Sequence, residues 1–119
     1  MIKVKHLSDV AKENVEAATG TCRQVLIGPA EGPNFAMRRF TIEPSVAMPK
    51  HFNRVEHERF VLQGKARVGI GNDVYHVQKD DAVFIPAGAA HWYETLGDEA
   101  FAFICVVPNG RDEVTLVES

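Results

Sequence analysis

PKHFNRVEHERFVLQG, residues 49–64, decides how the rest of the chain is read. It carries His51, Asn53 and His57, three side chains able to hold a metal ion, with Glu56 and Glu58 flanking the last. Side chains alternate along a strand, so His51 and Asn53 share one face and point inward together. The apolar FVLQG that follows reads as a second strand, which places the donors at the end of one strand and the start of the next. Neutral imidazole is the commonest protein ligand for zinc, iron, copper and nickel. The spacing from His51 to His57 is looser than that of H-E-x-x-H, and by itself leaves open both a metal site and ordinary solvated histidines. A fourth donor has to come from a distant strand, and His91 is the candidate. It follows the Pro86-Ala87-Gly88 break, and on a regular strand Tyr93 shares its inward face while Trp92 takes the other.

Outward from this stretch the chain reads as short β-rich runs separated by Gly, Pro, Asn and Asp at intervals of about 8 to 12 residues, the pattern of a sandwich or barrel. The runs are CRQVLIG, NFAMRRFTIEP, FVLQGKARVGIG, VYHVQ, AVFIPAG, HWYET and FAFICVVP. In the second, Met37, Arg39 and Thr41 face one side and Arg38, Phe40 and Ile42 the other. Asn72-Asp73 reads as a hairpin turn and Lys79-Asp80-Asp81 as a second polar turn. Before Thr21, residues 1–8 alternate weakly and suggest an edge strand. Ser8 to Ala18 offers a helix, with Ser8 as N-cap. The tail NGRDEVTLVES suggests a short terminal strand paired with another chain. An all-β antiparallel barrel or jelly roll is the expected fold.

The chain has 119 residues, 45% of them apolar, enough for one core and too few for two domains. A formal charge of −3 and a pI near 5.9 leave no basic footprint for phosphates, so nucleic acid is not expected as a partner. No apolar run reaches the roughly 18 to 20 residues of a membrane span, and MIKVKHLSDV lacks the apolar segment of a signal peptide. No membrane is expected, and a cytoplasmic setting is. The two cysteines, Cys22 and Cys105, are expected to stay reduced there.

Other candidates have plainer readings. His6 and His76 lack clustered partners and read as solvated. Glu56 and Glu58 suit a solvated strand edge. Arg38 and Arg39 could bind a carboxylate, yet an outward Arg beside an inward one is ordinary. Cys105 in its apolar strand reads as a small buried hydrophobe.

Two motifs carry a resemblance. Residues 45–64 look like the first signature of the cupin superfamily, G-x5-H-x-H-x3,4-E-x6-G, with His51 at the first histidine and Gly64 at the closing glycine. KDDAVFIPAGAAHWYET looks like the second, G-x5-P-x-G-x2-H-x3-N, with Pro86, Gly88 and His91 in register. The signatures span about residues 46–95, and the flanking strands are similar to small single-domain "cupin 2" barrels. Residues 1–119 then form one cupin domain, with 1–20 flanking it.

The resemblance implies a double-stranded β-helix, a homodimer, and a mononuclear divalent metal (manganese, iron, nickel or zinc) near one mouth of the barrel. His51 and His91 stand at two of its ligand positions. The chain departs from the pattern at four others: Ser45 and Asp80 replace signature glycines, Asn53 the second histidine and Thr95 the final asparagine. With three intervening residues the glutamate slot falls on His57, and with four on Glu58. The preferred set is His51, His57 and His91, with Asn53 as a weak or second-shell ligand. The alternative with Glu58 is a 2-His-1-carboxylate set suited to ferrous iron.

The expected function is dioxygenase-like or Lewis-acid chemistry on a small organic substrate, with Tyr93 or Arg38 orienting it. Phe60, Phe84, Phe101 and Phe103 supply apolar wall where they face inward. The alternative is a non-catalytic module that binds or senses a small ligand at a degenerate metal site.

Overall fold

Alternation of buried and exposed side chains runs through the strands, as it must where one face covers a core and the other meets solvent. In β5 (His57–Gln63), His57, Arg59 and Val61 are buried while Glu58 and Phe60 are exposed. The computed structural model describes residues 3–16 and 18–109, together with the backbone of Val114–Leu116. One sheet is six-stranded: β1 (Glu13–Asn14), β2 (Thr21–Ile27), β3 (Phe35–Ile42), β10 (Phe101–Pro108), β5 and β8 (Ala82–Ile85), in that spatial order. The other is five-stranded: β11 (Val114–Leu116), β4 (Ala47–Asn53), β9 (His91–Leu96), β6 (Lys65–Ile70) and β7 (Asp73–Gln78). Neighbouring strands are antiparallel in both sheets. The expected all-β cupin architecture is therefore what the chain adopts.

The inner faces of the sheets meet in one core. Val61, Phe101 and Phe103 enter from the larger sheet, Val68 and Tyr93 from the smaller. The Phe103 ring stacks on Phe40 at 5.4 Å and on Tyr93 at 5.6 Å, which ties the two sheets together through aromatic contact. Fully burying a side chain of this kind contributes about 1.5–3 kcal/mol. Gly64 closes the first signature at φ 82°, where a Cβ would run into the Ala100 carbonyl, so the tight turn from β5 to β6 requires glycine.

Several terminal readings are corrected. Residues 7–9 form one 3-10 turn, and no α-helix occurs among the described residues of the expected Ser8–Ala18 helix, Ala17 lying outside them. The segment instead serves β2. Gln24 donates its side-chain amide to the carbonyls of Leu7 (3.4 Å) and Val10 (3.0 Å), and Glu13 and Asn14 pair with Arg23 and Cys22. Short, loosely amphipathic helices are marginal, and this competition decides against one. Residues 3–6 form no edge strand, residues 1 and 2 being outside the described set. The terminal strand pairs within its own chain, β11 on β4, at the edge of the smaller sheet. The β6–β7 hairpin turns on Gly71-Asn72, one residue earlier than expected, because Ile70 pairs with Asp73.

Candidate functional site

β4 carries an irregularity that aims the site. Met48 pairs with Tyr93 and His51 with His91, so β4 holds one residue more than β9 between these pairs. The bulge resets the alternation, so that Met48, His51 and Asn53 are all buried although 48 and 51 differ in parity. It also explains Pro49 inside a strand, since a bulge needs no ladder hydrogen bond there. The Pro49 carbonyl accepts a hydrogen bond from His51 Nδ1 at 2.8 Å. His91 repeats the device at the start of β9, donating from Nδ1 to the Ala89 carbonyl at 3.0 Å. A carbonyl can only accept, so both Nδ1 atoms carry a proton, and in the neutral ring Nε2 is left with the lone pair. The β8–β9 loop is fixed to this arrangement by Gly88 N–H donating to the Asn53 carbonyl at 2.8 Å.

The two imidazoles lie 4.1 Å apart between ring centroids. His91 is fully buried, and its Nε2 and the buried Asn53 Oδ1 have no hydrogen-bond partner. Burial lowers His91 to about 3, with the nearby Arg59 and His51 adding to the effect, so the ring is neutral at physiological pH. Tyr93, two residues on, is buried on the same face with an unpartnered hydroxyl.

The larger sheet supplies a different cluster. His57 stands 6.2 Å from His91 between ring centroids. Arg59 donates to His57 Nδ1 at 2.8 Å, and Cys105 Sγ lies 3.5 Å from the same nitrogen. A guanidinium can only donate, so Nδ1 is the lone-pair nitrogen of a neutral His57, the opposite tautomer to His51 and His91. The Arg59 guanidinium lies against both rings of the stacked Phe103–Tyr93 pair, 4.8 Å from the Phe103 centroid and 5.1 Å from the Tyr93 centroid. Arg38 reaches Cys105 Sγ at 3.6 Å and lies over Phe40. Burial pushes the Cys105 thiol up, but the His57 hydrogen bond and the charges of Arg59 and Arg38 together bring it down to about 6.

His51, Asn53, His57, His91 and Tyr93 are thus all buried in the interior, and Arg38 reaches the same cluster through Cys105. Glu58 is exposed, on the face of β5 opposite His57, its carboxyl held above the usual range first by a hydrogen bond with Glu56. Among the described residues no three His, Cys, Asp or Glu side chains converge as a metal set. The side chains that suit a cation are His51 and His91, paired across β4 and β9, and Asn53 on the same buried face of β4 as His51, since His91 Nε2 and Asn53 Oδ1 meet no proton donor. Phe101 and Phe103 line the interior, but Phe60 and Phe84 face outward.

Arg59 is the residue that sequence reading missed. Its place two positions after His57 on an alternating strand was the available signal. Cys105 was assigned only a packing role, yet it stands at the centre of the cationic cluster.

Comparison with known proteins agrees with the fold. The cupin domain model matches residues 38–107. In structure the chain resembles the polyketide cyclase RemF of Streptomyces resistomycificus, with a TM-score of 0.90 and 31% identity, covering 100% of this chain and 87% of that one. In sequence it is 30% identical over 94 residues to the 1-methylthio-D-xylulose 5-phosphate methylsulfurylase of Rhodospirillum rubrum, covering 79% of this chain and 60% of that protein. A mannose-1-phosphate guanylyltransferase of Salmonella montevideo is 28% identical over 61% of the chain, but the chain spans only 16% of its length. The chain belongs to the cupin domain family.

Proposed function

We propose that the chain is a small metal-dependent enzyme that holds a carbonyl-bearing organic substrate inside the barrel and promotes ring closure on it. The carrying observation is the pairing of the buried His51 and His91 rings, 4.1 Å apart between centroids, beside two buried acceptors without a hydrogen-bond partner, His91 Nε2 and Asn53 Oδ1. Buried acceptors without donors are costly, and a cation relieves that cost. His51, His91 and Asn53 would hold one divalent ion, manganese, iron, nickel or zinc. Bound there, it would supply Lewis acidity toward a carbonyl oxygen. His57 would become a further ligand only with its Arg59 hydrogen bond released.

The chain's own groups suit this chemistry. The Tyr93 hydroxyl can donate to a substrate oxygen, and the Arg59 charge, held against the Phe103 and Tyr93 rings, favours negative charge developing nearby. Arg38 bonds Cys105, the thiol that lies 3.5 Å from His57 Nδ1. The apolar walls of Phe101, Phe103 and Val68 exclude water. Likeness to a polyketide cyclase along the whole chain supports ring closure over oxygen activation. Asn53 at the second histidine position favours a second reading, a binding module with a weakened metal site and no turnover.

The test is to load the protein with each of the four metals and incubate it with linear di- and triketones, following ring formation by absorbance and oxygen by electrode. Ring closure without oxygen uptake supports the proposal, and oxygen uptake would move the chain to the dioxygenase class. Metal binding without turnover on any of them would leave the binding module.

We also propose a homodimer. Phe60 (45% exposed) and Phe84 (55%) stand on neighbouring strands of the larger sheet's outer face, an apolar area suited to a second copy. No helix among the described residues is long and apolar enough to cross a membrane.

A further inference from the structure

β7 and β8 are consecutive in the chain, yet each is an edge, β7 of the smaller sheet and β8 of the larger. The sandwich is therefore open along this seam, and a cavity of about 540 Å3 fills it. Its relation to the histidines follows from strand register. One inward row of the smaller sheet runs His51, His91, Ile70, Asp73, and the next runs Met48, Tyr93, Val68, Tyr75. In the larger sheet a row runs Arg38, Cys105, Arg59, Val83. Ile70, Asp73, Val68, Tyr75 and Val83, the seam ends of these rows, all line the cavity.

We propose that this seam is a binding site for a neutral, planar, largely apolar molecule whose one carbonyl or enol oxygen points toward His91 and Tyr93. The assignment rests on the carbonyl-directed reading of the histidine site, and names the class of substrate it takes. Val68, Ile70, Val77 and Val83 give an apolar floor, and the volume suits a drug-sized ligand. Tyr75 (49% exposed) offers a ring face at the lip, which favours a flat occupant. Asp73 and Asp81 stand at the margin, so a phosphate ester or carboxylate would meet like charge. Inward, the first polar atoms without a partner in the adjoining strand are His91 Nε2 and Tyr93 Oη, one row position beyond Ile70 and Val68.

The probe is 2-acetylnaphthalene, a planar ketone that does not chelate metals, titrated into the full chain and followed by amide NMR shifts. Saturable shifts at Val77, Val83, Tyr75 and His91 are expected. Val83→Trp, which fills the seam, should weaken binding at least tenfold, and Tyr75→Ala, an exposed change that spares the core, about threefold. Shifts confined to other faces, or unchanged affinity in Tyr75→Ala and in a folded Val83→Trp, would overturn the site. So would amide shifts at β7 that depend on protein concentration without probe, because they would assign the seam to a second copy. If seam binding survives while the protein takes up no metal, the seam stands and the metal reading falls. Ring closure by a metal-loaded protein that ignores both seam variants would do the reverse.

Discussion

His51 and His91 face each other across the β4–β9 ladder with ring centroids 4.1 Å apart, each held by a hydrogen bond from Nδ1 to the carbonyl two residues before it. The shared i−2 hydrogen bond fixes both tautomers before any ligand arrives. Preorganisation of this kind lowers the cost of binding at Nε2. Either histidine replaced by alanine should weaken divalent-metal affinity by at least about 100-fold, read by calorimetric titration with zinc or nickel. A change below about threefold for both would remove them from the metal site.

Asn53 is buried on the same face of β4 as His51, with its Oδ1 unpartnered. Asn53→His replaces an amide oxygen by a stronger donor and should tighten metal binding by about tenfold. Unchanged affinity would show that position 53 is not aimed at the ion.

His57 and Glu58 separate the two readings of the glutamate slot. Because Glu58 is exposed on the far face of β5, Glu58→Ala should leave metal affinity unchanged, whereas His57→Ala should alter it measurably. The direction for His57 reports its role. Weaker binding makes it a ligand, and stronger binding makes its pairing with Arg59 a restraint on the site. An effect at Glu58 larger than at His57 would restore the carboxylate set.

Sequence carried much of this and failed in physically intelligible places. The alternation in HWYET located His91 and Tyr93 on one inward face, because strand period is a local property, while His57 was chosen from the motif spacing. The inward aim of His51 and Asn53 was read from H-x-N alone, without the bulge that resets β4 after Met48. A bulge depends on the partner strand and leaves only the weak trace of a proline. Arg59 was overlooked because a buried arginine makes sense only once Phe103 and Tyr93 are known to stack on it. The expected helix after Ser8 failed for a long-range reason, the capture of its backbone by Gln24 and β2.

Ser45 and Asp80, the two places where a signature glycine is replaced, are also the only non-glycine residues with positive φ among those described, at 65° and 76°. The fold has kept the left-handed backbone and lost the residue that adopts it freely. Such a conformation costs an L-residue roughly 1–2 kcal/mol, partly offset by the greater unfolded-state entropy of glycine. Ser45→Gly and Asp80→Gly should each stabilise the protein by up to about 1 kcal/mol, visible as a raised urea midpoint at constant m-value. A lowered midpoint in both would mean the side chains make compensating contacts.

The buried, neutral His91 makes stability depend on pH. Its folded value near 3 lies below the ordinary 6.5, so the unfolded chain binds more protons between these values. Stability is therefore full above about pH 6.5 and is lost progressively as pH falls toward 3, by on the order of 4 kcal/mol in the metal-free protein. Urea titrations between pH 4 and 7 should show this slope, and His91→Gln should flatten it. Equal slopes in the two proteins would contradict it.

The assembly has its own check. Light scattering should give twice the chain mass for the native protein and the single mass for a Phe60→Glu, Phe84→Glu double variant. A native monomer would rule the dimer out.

Metal content after purification without added metal, followed by reconstitution with manganese, iron, nickel and zinc, tests the central claim most directly. About one ion per chain, lost in both His51→Ala and His91→Ala, is the result the paired imidazoles predict. No uptake of any of the four by the native protein would contradict it.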